Sequence, residues 1–88
     1  QAISHLEKSL SIQPDFMPAL NQLALYNSVA GDYDRAIQYF KKMVQVKPEL
    51  ANAYYNIACL YAKQNKVKEA TDWLRLGFMM NNHIQQNR

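Results

Sequence analysis

Apolar residues return at helical spacing in five stretches of the chain, separated by short breaks that carry proline, glycine or polar residues. Ala2, Ile3, Leu6 and Leu10 form the first stripe, from Ala2 to Ile12. Pro14 stops it, because proline cannot continue a helix. Asp15 is placed to cap a second helix in which Leu20, Leu23, Ala24 and Asn27 share one face up to about Ala30. Gly31 then offers the left-handed conformation that closes helices. Asp32 can cap a third helix. Asp34 in its first turn complements the helix dipole, Ala36, Ile37, Phe40, Met43 and Val44 form its stripe, and Pro48 ends it. Ala53, Tyr54, Ile57, Ala58 and Tyr61 mark a fourth helix. Asn65 stands where Gly31 stood, and asparagine tolerates a left-handed position better than most residues. Ala70, Trp73, Leu74 and Phe78 mark a fifth helix expected to end near Met80, with residues 81–88 as a polar tail expected to fray.

A shift of 34 residues lays these stripes on one another. Ala2 falls on Ala36 and Ala70, Leu6 on Phe40 and Leu74, Leu10 on Val44 and Phe78, Ile12 on Val46 and Met80, and Pro14 on Pro48. Few of these pairs are identical, but size and polarity are kept. A fixed period of this length signals stacked units, none of which buries its apolar face alone. The expected organisation is one all-α domain, 1–88, of five antiparallel helices and about 2.5 repeats. Residues 1–16 form the second helix of a truncated repeat, followed by full repeats at 17–50 and 51–84. Gln1 opens directly on a helical pattern with no capping residue before it, as expected of a piece of a longer array.

The unit Met17–Leu50 carries Leu20, Leu23, Ala24, Gly31, Asp32, Tyr33, Ala36, Phe40 and Pro48, and the unit from Ala51 carries Tyr54, Ile57, Ala58, Tyr61, Ala70 and Leu74. At these offsets the chain resembles the tetratricopeptide repeat, a 34-residue helix-turn-helix unit. The resemblance implies an alpha-alpha superhelix, a right-handed solenoid of helix pairs that presents a concave groove to other proteins. Four positions depart from the pattern. Leu20 replaces the first aromatic, Asn27 a tyrosine and Gly77 the third alanine, and no proline follows Met80. A glycine inside a helix costs about 1 kcal/mol relative to alanine, so Gly77 implies a loosened last helix or a close approach.

Composition narrows the function classes. The chain is 49% hydrophobic and 19% charged, ordinary values for a folded domain. Its formal net charge is +3, and the basic residues are broken up by apolar positions rather than gathered in a run. Lys41, Lys42, Lys47, Lys66, Lys68 and Arg75 fall mainly on second helices or their turns, where they serve solubility, so nucleic acid is not the expected partner. Cys59 is the sole cysteine, which excludes an internal disulfide and suits a reducing, cytoplasmic compartment. No apolar run approaches the roughly 20 residues of a membrane span. His5 and His83 have no metal-ligand partners at suitable spacing. No phosphate loop, paired carboxylates or nucleophile triad is present, so no catalytic residue, metal or cofactor is assigned.

The resemblance puts the first helix of each pair on the concave surface. The residues flanking its buried stripe are then the expected groove: Asn21, Leu25 and Ser28 on the second helix, and Asn52, Tyr55, Asn56, Cys59 and Lys63 on the fourth. Amides can bond a ligand backbone and a tyrosine supplies contact area at low entropy cost, which suits an extended peptide or a partner helix. The plainer alternative is a solvated helix face. A clamp for a C-terminal carboxylate is not expected, because the positions that would need lysine and asparagine hold Asn21 and Leu25, and only Asn56 fits. Leu6, Leu10, Leu74, Phe78, Met79 and Met80 are expected to be exposed at the two uncapped ends and to support association with further repeats or a second copy. The expected function is a non-enzymatic protein-interaction scaffold. The rivals are a scaffolding arm of a larger enzyme and, less favoured, a helical-repeat RNA binder.

Overall fold

The computed structural model describes residues 2–86, with the side chains of 4–82. The expectations that rest on the side chains of Ala2, Ile3 and His83, and on residues 87–88 of the tail, lie outside the described residues. Five helices follow one another: α1 (Ala2–Ile12), α2 (Met17–Ala30), α3 (Tyr33–Val46), α4 (Ala51–Lys63) and α5 (Val67–Gln86). The first four match the sequence stripes closely. The fifth does not stop near Met80 but continues through Gln86, because neither proline nor glycine follows to interrupt it.

The turns inside the two helix pairs are built alike, one period apart. Gly31 has φ of 88° and Asn65 has φ of 62°. The Gly31 N–H donates to the Ser28 carbonyl and the Asp32 N–H to the Asn27 carbonyl. Likewise the Asn65 N–H donates to the Ala62 carbonyl and the Lys66 N–H to the Tyr61 carbonyl. This pair of bonds around a left-handed residue satisfies the last helical carbonyls and reverses the chain tightly. Asp32 caps α3, accepting the Arg35 N–H at 3.4 Å. Asp15 does not cap α2: the N-cap is Phe16, with no side-chain bond. Pro18 stands in that first turn and brings no N–H, so one of the donors a cap would satisfy is already missing.

Neighbouring helices pack in sequence order, most extensively α4 on α5 and α2 on α3, then α3 on α4 and α1 on α2. The continuous core comprises Leu20, Ala24, Ala36, Ile37, Phe40, Met43, Val44, Ala53, Tyr54, Ile57 and Leu60. Leu60 and Ala19 belong to the buried set although their positions lie off the sequence stripes. For α4 the cause is its place between two neighbours, since it buries one row of residues toward α3 and another toward α5. Asn27, the position where the repeat pattern has tyrosine, is buried and donates from Nδ2 to the Leu23 carbonyl at 2.8 Å. That bond offsets the cost of burying its amide.

Gly77 records a close approach rather than a loosened helix. A Cβ there would lie 2.9 Å from the Tyr54 Cβ and 2.9 Å from Cε1 of the Tyr55 ring. One period earlier the same two places hold Met43 and Asn21. The volumes are exchanged across the helix pair: large opposite small in the first unit, and aromatic opposite nothing in the second.

Candidate functional site

α2 and α4 are one period apart and do not pack broadly on each other, because α3 lies between them. The side chains that face across the gap leave a hollow of about 170 Å³. Leu25 and Ser28 of α2 form one wall, Asn56, Cys59 and Lys63 of α4 form the other, and Phe40 and Leu60 from the core form the floor. Leu25, Asn56, Cys59 and Lys63 are exposed. The Lys63 ammonium rests 5.8 Å from the centre of the Tyr33 ring, which steadies this cation at one end of the hollow. The arrangement offers an apolar floor, an amide and a hydroxyl for backbone hydrogen bonds, and one positive charge.

Five of the eight expected groove residues therefore meet in one place. Asn21 and Asn52 are not among the residues that line this hollow. Tyr55 is turned toward α5, where its ring packs over Gly77. It lines a second, larger hollow of about 330 Å³ with Ala58, Cys59 and Ala62 of α4 and Val67, Ala70, Thr71 and Leu74 of α5. Cys59 borders both hollows. The small residues on this α4–α5 face were not singled out as site residues in the sequence. The 34-residue shift could have found them, because their first-unit counterparts Ala24, Ala36 and Ile37 are buried in the core to which α4 contributes.

The residues expected at the open ends divide in the same way. Leu74, Phe78 and Met79 are 50%, 61% and 60% exposed. Leu6, Leu10 and Met80 are only half-buried, and Leu10 and Met80 pack against the core. Lys41 lies 5.5 Å from the Tyr61 ring centre and 5.4 Å from that of Trp73, and Lys66 lies 5.9 Å from Tyr61. These lysines, read from the sequence as solvating charges, also tie α3 and the α4–α5 turn to aromatic rings. Among the described residues no three His, Cys, Asp or Glu side chains are grouped to hold a metal ion, and no helix is long and apolar enough to cross a membrane.

Paired antiparallel helices stacked at a fixed period define an α-solenoid, a class built for surface display of side chains. The tetratricopeptide repeat profile matches residues 30–83, more than half of the chain, and the chain belongs to that family. Two crystal structures of MamA superpose with a TM-score of 0.89 over 96% of this chain at 21% sequence identity. Such identity speaks for the fold alone. The chain spans about half the length of these structures, 49% of one and 46% of the other. No curated protein matches the sequence. Repeats of this family typically serve as non-catalytic scaffolds for protein interaction.

Proposed function

We propose that the hollow between α2 and α4 is the partner-binding site of a protein-interaction scaffold, and that it takes a peptide segment or the edge of a partner helix. The observation that supports this reading most is the meeting of Leu25 and Ser28 with Asn56, Cys59 and Lys63 across one period, over an apolar floor. An apolar side chain of the ligand enters toward Phe40 and Leu60, the Asn56 amide bonds its backbone, and Lys63 attracts a carboxylate. The α4–α5 face has a separate role in this reading. Leu74, Phe78 and Met79 present apolar surface that another helical unit or a second copy covers.

A displayed peptide library selected on the wild-type chain supplies ligands for the test. Selected peptides lose most of their affinity for Asn56→Ala/Lys63→Ala and keep it for Lys68→Ala, an exposed position of α5 outside the hollow. Equal affinity for both variants would remove the α2–α4 hollow from the account.

A further inference from the structure

The two repeats fill one corresponding place differently. In the second unit the Tyr54 hydroxyl donates to the Pro48 carbonyl at 2.9 Å, and its ring stands 5.9 Å from that of Trp73. One period earlier the same three positions are Pro14, Leu20 and Tyr39. Leucine is shorter than tyrosine and carries no donor, and the ring at Tyr39 is smaller than the indole it corresponds to. Between α1 and α3 this leaves a hollow of about 310 Å³, lined by Leu10, Pro14, Leu20, Gln38, Tyr39 and Lys42. Among the described residues no side chain donates to the Pro14 carbonyl, the counterpart of the Pro48 acceptor. Leu20, which is 1% exposed, forms the buried floor of this hollow.

We propose that this hollow is a socket for a tyrosine side chain presented by a partner polypeptide. Its ring lies against Leu10, Leu20 and Tyr39, and its hydroxyl donates to the Pro14 carbonyl, as Tyr54 does to Pro48 within the chain. Tyr54 shows that this fold accommodates the occupant, in ring and hydrogen bond alike. The rim favours a polypeptide over a free phenol. Where the second unit has Asp72 and Leu76, the first has Gln38 and Lys42, an amide and a cation able to meet backbone carbonyls beside the bound ring. The socket lies on the α1–α3 side of the molecule and does not share residues with the α2–α4 hollow.

The test is an NMR titration of the chain with N-acetyl-tyrosinamide, N-acetyl-phenylalaninamide and p-cresol. The tyrosine derivative binds the wild type about two- to tenfold more tightly than the phenylalanine derivative, the gain expected of one hydrogen bond, and shifts the signals of Leu10 and Tyr39. It also binds more tightly than p-cresol. Leu20→Tyr, which supplies the missing phenol from within, raises the melting temperature and abolishes this binding. Tyr39→Ala, a change at a half-buried position, weakens binding independently of whether Leu20→Tyr folds. Absence of binding to the wild type, equal affinity for the tyrosine and phenylalanine derivatives, or binding retained in both variants would overturn the proposal. Binding of p-cresol as tight as that of the tyrosine derivative would overturn the assignment to a polypeptide.

Discussion

At Gly77 two rules for helix stability oppose each other, and geometry decides between them. Helix propensity favours alanine by about 1 kcal/mol. The added Cβ would meet the Tyr54 Cβ at 2.9 Å, an atom fixed to the backbone of α4 that cannot swing aside. Overpacking of this kind costs about 1–3 kcal/mol, so Gly77→Ala should be net destabilising. A loss of about 1 kcal/mol lowers the melting temperature of a domain this size by about 4–8 °C. A thermal melt in which Gly77→Ala raised the transition would show that the helices separate freely there. Tyr54 carries the second residue-scale prediction. Burial, and then the negative charge of Glu49, raise its phenol above the ordinary value of about 10. The folded state thus favours the protonated form. That contribution to stability is complete below pH 10 and is lost as the pH rises through the raised folded value. Wild type should lose stability more steeply than Tyr54→Phe above about pH 10. At neutral pH Tyr54→Phe should cost about 0.5–1.5 kcal/mol through the lost bond to Pro48. Parallel profiles in denaturant melts at pH 8 and pH 11 would contradict the assignment.

At the scale of elements, the two left-handed turns set how each helix pair closes. Asn65 is the one non-glycine residue with positive φ among the described residues, and asparagine bears that conformation at a modest cost. Asn65→Gly should hold or slightly raise stability, whereas Asn65→Val should cost about 1–2 kcal/mol or more, because a β-branched side chain resists the left-handed region. Equal melts for the two variants would mean that the turn does not constrain the pair. These same turns were legible in the sequence as glycine and asparagine one period apart, and so were the helix stripes between them. The site was only partly legible. Leu25, Ser28, Asn56, Cys59 and Lys63 were legible because each flanks the buried stripe of its own helix and the repeat resemblance puts α2 and α4 on one surface. The orientation of Tyr55 was not, since it depends on Gly77, which lies 22 positions away on another helix. The missing cap at Asp15 and the extension of α5 were hidden for a different reason: helix ends are set by local bonds that several nearby residues can supply.

The whole molecule presents two kinds of surface. The α2–α4 hollow is small, with polar and charged groups at its mouth. The α4–α5 face is larger and mainly apolar, with Ala58 and Ala62 of α4 beside Val67, Ala70 and Leu74 of α5. The first unit's equivalent of that face is packed into the core by α4, so a further helix on the second unit would repeat a geometry already present in the chain. Self-association through this face predicts a concentration-dependent apparent mass in light scattering, reduced by Leu74→Glu/Phe78→Glu. A strict monomer at high concentration would refute it. The α2–α4 hollow is the surface proposed to take the peptide. A ¹⁵N chemical-shift map recorded with a peptide selected on the wild-type chain tests this proposal most directly. The expected shifts centre on Leu25, Ser28, Asn56, Cys59 and Lys63. Shifts confined to the outer faces of α3 and α5, with those five residues unmoved, would contradict the proposal.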